Sequence, residues 1–141
     1  MLGMSDTPYV VIGIGCQRGC PLTTLDALLD QVLQAHGIER RTLKALASIE
    51  QKRDEPGLLA LAEQLGLPLT FFSNTQLAGY EPRLSQRSQI AYERTGCYGV
   101  AESAALALAE HLGQNNAQLL VARQKFGQAT LALASTAPHP R

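Results

Sequence analysis

Residues 10–21, with the sequence VVIGIGCQRGCP, decide the fold. The β-branched and apolar residues at the start of this stretch predict a strand over residues 9–15 that is covered on both sides. Pro21 suits the first position of a helix, where no N–H donor is required. A strand, a turn and a helix in direct succession are typical of an α/β unit.

The turn between the strand and the helix is rich in glycine, with Gly13, Gly15 and Gly19. Glycine relieves steric limits on the backbone, so the turn can be tight and a ligand can come close. The N–H groups at the helix start, with Arg18 beside them, would seat an anion. The spacing is not that of a dinucleotide site, because Arg18 occupies the place of the third glycine, and no P-loop lysine follows. This stretch can therefore be interpreted either as a structural turn or as an anion-binding site.

The composition excludes several classes of protein. Lysine and arginine number 12, and so do aspartate and glutamate, so the chain lacks the positive charge of a nucleic-acid binder. No apolar run approaches the ~20 residues of a membrane span, and residues 1–6 do not resemble a signal peptide. We expect a cytoplasmic protein with free thiols. Cys16, Cys20 and Cys97 without clustered histidines are a weak metal set, so no metal site and no cofactor are predicted.

Strand and helix patterns alternate along the rest of the chain. Further strands are predicted over residues 43–49, 68–73, 118–122 and 128–134. Helices are predicted over residues 21–35, 56–65 and 99–112. The stretch 74–97 is less regular, with a helical turn at 74–77, a loop at 80–86 and a short helix at 89–94. Its basic residues, Arg83, Arg87 and Arg94, are interpreted as a solvated surface.

This alternation predicts a three-layer α/β/α fold with helices on both faces of a mostly parallel sheet of about five strands. The short turn over residues 124–127 makes the last two strands an antiparallel hairpin. We expect one domain over residues 1–141, with frayed ends at residues 1–7 and 136–141.

The predicted topology brings four polar loops to one edge of the sheet. Ligands of such sheets bind beyond the carboxyl ends of the strands. The residues predicted to contact a ligand there are Gly13, Gly15, Cys16, Arg18, Gly19, Lys52, Arg53, Ser73 and Lys125. Four of these residues are basic in a chain with no net charge, so the predicted ligand is an anion.

Three acidic residues are candidates for acid–base catalysis. Asp54 and Glu55 are adjacent, and paired carboxylates can have different pKa values. Capping of the helix that begins at Pro56 explains both residues more simply. Glu102 lies in the first turn of the helix over residues 99–112, which a carboxylate stabilises by itself. Cys16 lies near a helix N-terminus, which favours the thiolate, but no histidine is paired with it locally.

Three stretches together resemble a known family. They are residues 13–19, GIGCQRG; residues 48–58, SIEQKRDEPGL, running on to PLTFFS at 68–73; and residues 95–106, TGCYGVAESAAL, with 125–134. They are similar to the C-terminal domain of CbiG and its stand-alone counterpart CobE, both of cobalamin (corrinoid) biosynthesis. Because the chain begins immediately before its first strand, we expect a stand-alone protein of the CobE type. Gln17 stands where a second basic residue is common in the family.

The resemblance implies a tetrapyrrole ligand that carries many carboxylates, which agrees with the basic edge. We expect the protein to bind or help process a corrin-ring intermediate around the ring-contraction steps, such as hydrogenobyrinic acid or a precorrin. Other corrinoid-pathway enzymes are expected as partners.

Two alternatives stay open. CbiG is associated with opening the lactone of cobalt-precorrin-5 and releasing acetaldehyde. A lactone hydrolase of that kind would use Asp54, Glu55 or Glu102, with Lys52 polarising the carbonyl. The third hypothesis is a nucleotide-binding α/β protein.

Overall fold

The computed structural model describes residues 10–85, 99–113 and 117–135. The strands are β1 Val10–Cys16, β2 Leu43–Ile49, β3 Leu69–Phe72, β4 Gln118–Phe126 and β5 Ala129–Ser135. The helices are α1 Leu22–His36, α2 Pro56–Leu65, α3 Asn74–Ala78 and α4 Val100–Gly113. Short 3-10 turns span Arg40–Thr42, Glu50–Lys52 and Glu81–Arg83. Among the described residues, no helix is long and apolar enough to cross a membrane.

The five strands form one sheet in the order β3-β2-β1-β5-β4. β1 pairs in parallel with β2, and β2 pairs in parallel with β3, whereas β5 is antiparallel to both β1 and β4. β4 therefore runs in the same direction as β1, and the carboxyl ends of β1, β2, β3 and β4 share one edge. The predicted α/β fold, with a mostly parallel sheet and an antiparallel final hairpin, is confirmed.

Helices cover both faces of this sheet, and β1 alternates between them. Ile12 and Ile14 pack against α1 and α2 on one face, because side chains along a strand point alternately to opposite sides. Gly13 faces α4 on the other face. A Cβ atom at Gly13 would lie 1.9 Å from the Ala101 carbonyl oxygen and 2.5 Å from the Ala105 nitrogen. The backbone of α4 therefore rests directly on the backbone of β1.

The predicted ends of two strands are wrong: β1 ends one residue later than predicted, and β4 ends four residues later. β1 ends at Cys16, and Gly13 and Gly15, which the predicted strand over residues 9–15 includes, are strand residues that take no part in the turn. β4 continues to Phe126, because the hairpin turn needs only Gly127, with φ +58°, and Gln128. Arg123 and Lys125 are consequently strand residues. The predicted helix at 89–94, the basic residues Arg87 and Arg94, and Cys97 lie outside the described residues.

Candidate functional site

The loop between β1 and α1 lies at the shared carboxyl edge, and its backbone is held from several sides. The Gln17 N–H donates to the Gln128 carbonyl oxygen at 2.9 Å, and the Cys20 N–H donates to the Gln17 oxygen at 3.1 Å. Gly19 has φ +83°, and its N–H donates to Glu55 Oε1 at 2.9 Å. Three loop N–H groups are thus engaged within the protein. A backbone loop that binds phosphate uses such N–H groups as donors to the phosphate oxygens, and these three N–H groups already have acceptors within the protein.

Glu55 is the buried acid beneath this loop, with 2% of its side chain exposed. It occupies the N-cap position of α2 but makes no side-chain cap hydrogen bond. Its Oε2 instead lies 3.6 Å from Nη1 of Arg18, whose side chain is 75% exposed. Glu55 is therefore the cap residue of α2 by position, as predicted, but its carboxylate binds the β1–α1 loop and not the first N–H groups of the helix. A buried carboxylate needs hydrogen bonds and a counter-charge, and the neighbouring loop supplies both. Asp54, the adjacent acid, is exposed.

Lys52 and Cys16 lie at the same edge of the sheet, in the turn after β2 and at the end of β1. Lys52 is half-buried in the 3-10 turn after β2, and its charge is close enough to act on the Cys16 thiol. Burial, followed by the nearby Cys20, raises the pKa of Cys16 to about 11, although Lys52 lowers it in part. Burial therefore outweighs both Lys52 and the helix N-terminus that favours a thiolate, and it keeps Cys16 in the thiol form at neutral pH. Cys16 and Cys20 are both free thiols, as predicted.

Three of the predicted ligand contacts do not join this group. Arg53 turns back on its own loop, where its Nη1 donates to the Glu50 carbonyl oxygen at 3.3 Å. The Ser73 hydroxyl caps α3 by accepting the Gln76 N–H at 3.1 Å. Lys125 is exposed on β4, and β5 separates that strand from β1. Two strand spacings place the backbone of Lys125 about 10 Å from β1 across the sheet.

Gly13 and Gly15 were also predicted to let a ligand approach. Both are buried in β1, and a Cβ at Gly15 would lie 2.7 Å from Thr130 Oγ1 and 3.5 Å from Val100 Cβ. The close approach that these glycines allow is thus made by α4 and β5. The prediction that they contact a ligand is contradicted by this burial.

Glu102, the third candidate acid, is 1% exposed and binds protein donors on both oxygens. Oε1 accepts the Ser85 N–H at 2.7 Å, and Oε2 accepts the Arg123 N–H at 2.7 Å and contacts the Ser85 hydroxyl. β4 has a bulge here, since residues 122 and 123 both stand opposite Ala132. A bulge removes a residue from the regular ladder, which explains how the Arg123 N–H can serve Glu102. Through these hydrogen bonds, Glu102 on α4 is linked to β4 and to the backbone at Ser85.

Arg83 is exposed, in agreement with its interpretation as a surface residue, but its side chain is also paired with an acid. Its Nη1 donates to Glu110 Oε2 at 2.7 Å, and the Tyr80 hydroxyl donates to Glu110 Oε1 at 2.9 Å. Burial alone raises the pKa of Glu110, but hydrogen bonds from Arg83, Tyr80 and Ala117 outweigh it and hold that pKa below its usual value. This cluster lies beside the start of β4, at the edge opposite the β1–α1 loop.

Sequence reasoning missed an apolar cavity next to Arg18. It has a volume of about 350 Å³ and is lined by residues 19–22 together with Pro56, Gly57 and Ala60. Gly57 allows the starts of α1 and α2 to touch, because a Cβ there would lie 2.3 Å from the Cys20 carbonyl oxygen. A sequence signal for it existed: Pro21 and Pro56 mark two helix starts that the predicted topology brings to the same edge.

The described site therefore combines two cations, a buried acid and an apolar cavity. Arg18 and Lys52 approach the end of β1 from two loops, and Glu55 lies behind Arg18. Such an arrangement can bind an anionic group that has apolar neighbours. In the described part of the chain, no three histidine, cysteine or acidic residues gather as a metal site.

The chain is similar to known proteins over most of its length. The family model for the cobalamin synthesis G C-terminus matches residues 10–134. Protein CobE of Sinorhizobium sp is 35% identical over 128 residues, which are 91% of this chain and 80% of that protein. A crystal structure of CobE, a protein from the cobalamin (vitamin B12) biosynthetic pathway, is 47% identical with a TM-score of 0.90, and the match covers 94% of each chain.

A longer relative shares the same region. The cobalt-precorrin-5A hydrolase of Priestia megaterium is 30% identical over 125 residues, which are 89% of this chain. The chain spans about a third of that enzyme, 32% of its length. The family match over residues 10–134, together with the similarity to CobE over most of both chains, shows that this chain belongs to the CobE and CbiG C-terminal-domain family of cobalamin biosynthesis proteins.

Proposed function

We propose that this cobalamin biosynthesis protein binds a polycarboxylate corrin-ring intermediate at the carboxyl edge of its sheet. The observation that carries the proposal is the placement of Arg18 and Lys52 in the loops that follow the neighbouring parallel strands β1 and β2, at the same edge of the sheet, in a chain whose net charge is zero. Arg18 and Lys52 are the residues that would bind the carboxylates of the ligand. Other enzymes of the pathway are the partners expected to supply and receive such an intermediate.

The two cations suit carboxylates in different ways. The Arg18 guanidinium is mostly exposed, and its planar fork of donors can hold one carboxylate through two hydrogen bonds. The Lys52 ammonium is a compact charge that can serve a second carboxylate. Glu55 offsets part of the Arg18 charge, and Glu50 and Asp54 lie in the loop that carries Lys52. Because each cation has acidic neighbours, a single negative charge is attracted only weakly. A ligand with several carboxylates, which can bind Arg18 and Lys52 together, should therefore bind this edge more tightly than a ligand with one negative charge.

The ligand experiment compares an acid with its amide. Hydrogenobyrinic acid and its a,c-diamide are titrated into the protein, and binding is followed by calorimetry or by the visible spectrum of the corrinoid. We expect the acid to bind more tightly, because each charge-assisted hydrogen bond contributes about 1.5–3 kcal/mol. Equal affinities for the two compounds would reject carboxylate recognition.

Two lysine variants test where on the protein the ligand binds. Lys52→Ala should weaken binding of hydrogenobyrinic acid about tenfold, which corresponds to about 1.4 kcal/mol. Lys44 is the control, since it is an exposed lysine on β2 itself, near the opposite edge of the sheet. Lys44→Ala should leave the affinity unchanged, and both variants should keep the melting temperature. The proposal fails at Lys52 if both variants bind as the unmodified protein does at matched ionic strength.

The second candidate function is hydrolysis of a corrin-ring lactone with release of acetaldehyde, which the hydrolase name of the longer relative favours. Glu55 and Glu102 both accept hydrogen bonds from protein donors, whereas Asp54 is exposed beside the loop of Lys52. Asp54 is therefore the acid that we assign to this alternative. Acetaldehyde is measured after the lactone substrate is added to the unmodified protein and to Asp54→Asn. If the unmodified protein releases none, the hydrolase alternative is rejected.

A further inference from the structure

The apolar cavity between the starts of α1 and α2 takes no part in the carboxylate binding proposed above. Its walls come from backbone and from apolar side chains, among them Pro21, Leu22, Pro56 and Ala60. It has a volume of about 350 Å³, its lining is mostly apolar, and it is open to solvent on its outer side, so it can cover one edge of a ligand but cannot enclose a whole one.

Charge lies at the rim of this cavity. Gly19 and Pro56 line it, and their chain neighbours Arg18 and Glu55 form an ion pair across the two loops, with 3.6 Å between Nη1 and Oε2. Glu55 is buried and binds the Gly19 N–H, so it secures the loop from below. Arg18 does not line the cavity, but it precedes the lining residue Gly19, and its guanidinium is 75% exposed, so it is an accessible cation next to the rim.

We propose that this cavity is an apolar subsite, and that it takes an apolar edge of the same anionic ligand while an adjacent carboxylate pairs with Arg18. The identity of the ligand as a corrinoid rests on the proposed function. The periphery of a corrin ring alternates methyl groups with carboxylate side chains, so an apolar group and a carboxylate lie side by side. The cavity is smaller than a whole macrocycle, so it holds one edge of the ring and leaves the rest outside.

Two fluorescent dyes test the subsite without a corrinoid. The anionic probe is 8-anilinonaphthalene-1-sulfonate, and the neutral probe is N-phenyl-1-naphthylamine. Ala60→Trp places an indole at the cavity wall and should weaken binding of both dyes at least tenfold. Leu59→Trp is the control, because Leu59 is the adjacent residue of α2, is 44% exposed and does not line the cavity. It should bind both dyes within twofold of the unmodified protein.

The charge at the rim is tested by Arg18→Gln. This variant should lose about tenfold in affinity for the anionic dye and should bind the neutral dye within twofold. An equal loss for the two dyes would overturn the pairing of Arg18 with the ligand. Equal dye binding by Ala60→Trp and Leu59→Trp, or no dye binding by the unmodified protein, would overturn the subsite. The chain has no native tryptophan, so the emission of each variant reports directly whether its new indole is buried.

Hydrogenobyrinic acid then connects the subsite with the proposed function. We expect it to displace the anionic dye from the unmodified protein and to bind Ala60→Trp at least tenfold more weakly than Leu59→Trp. If it binds but does not displace the dye, the cavity is not part of its site and the inference is overturned. If it does not bind at all, the proposed function fails, whereas the dye results still decide whether the cavity binds apolar anions.

Discussion

The face of the sheet under α4 is packed by glycine and alanine, whereas the face under α1 and α2 is packed by leucine and isoleucine. Gly13 and Ile14 show the contrast within one strand, because they are neighbours in β1 and face opposite sides. The small residues let the backbone of α4 touch the sheet. The large residues keep α1 and α2 further away and fill the space between with side chains.

The face under α4 serves packing, whereas the face under α1 and α2 borders the candidate site. The loops that carry Arg18 and Lys52 lead into α1 and α2, so the candidate site grows from the face with large side chains. Among the described residues, each face has one buried carboxylate, Glu55 or Glu102. Glu55 is paired with an exposed cation, whereas Glu102 accepts hydrogen bonds from the N–H groups of Ser85 and Arg123 and contacts the Ser85 hydroxyl. We therefore expect changes on the α4 face to affect stability and changes around Glu55 to affect the loop.

The largest effect is expected from Gly13→Ala. Its new methyl group would overlap backbone atoms of α4, which cannot rotate away, so unfolding free energy should fall by about 3 kcal/mol or more. Gly15→Ala is the matched control, because the atom it meets at 2.7 Å belongs to the Thr130 side chain, which can turn. Urea unfolding of both variants measures the difference. Equal losses would contradict the close contact of α4 with β1.

The next effect compares the two buried carboxylates. Glu102→Gln replaces one accepting oxygen by an NH2 group, which then faces the N–H donors of Ser85 or Arg123. The loss of that acceptor should lower the unfolding free energy by about 1–3 kcal/mol. Hydrogen exchange at the Gly19 amide should stay as in the unmodified protein. Glu55→Gln should instead speed that exchange, because a neutral amide oxygen accepts the Gly19 N–H less strongly than the carboxylate does. Faster Gly19 exchange in Glu102→Gln would show that the two carboxylates do not act separately.

A smaller effect is expected from Ile14→Val, which removes one methylene from the face with large side chains. Such a deletion in a core costs about 0.5–1.5 kcal/mol, because neighbouring side chains can relax toward the gap. The comparison with Gly13→Ala is direct, since adjacent residues gain or lose one carbon on opposite faces. Thermal unfolding of both variants should rank Gly13→Ala as the far more damaging change. The reverse order would refute the assignment of the faces.

The smallest effect is a pH dependence at the far end of α4. The pKa of Glu110 is held below its usual value of 4.5, so its ion pair stabilises the fold above that pH and is lost as pH falls through the lower, folded-state value. The stability difference between the unmodified protein and Glu110→Gln should be constant near neutral pH and should shrink below pH 4.5. Urea unfolding at several pH values measures it. A difference that grows in acid would contradict the sign of this shift.

The sequence alone determined the elements whose signals are local. β2 lies at residues 43–49 and α2 at residues 56–65, both as predicted. Pro56 can begin a helix without an N–H donor, and Gly66 can end one in the left-handed conformation, with φ +69°. Strand and helix alternation then limited the topology, and the topology alone brought the basic loops of Arg18 and Lys52 to one edge.

Only the tertiary structure decided what the glycines and the buried acids do. Gly13 allows contact with Ala101, which is far away along the chain, so its spacing resembled a ligand turn. Glu55 accepts a hydrogen bond from Gly19, 36 residues earlier, and Glu102 accepts one from Arg123, 21 residues later. A sequence shows the residue type and its neighbours along the chain. Burial and hydrogen-bond partners depend on which distant segments pack together, and that packing separates a structural carboxylate from a catalytic one.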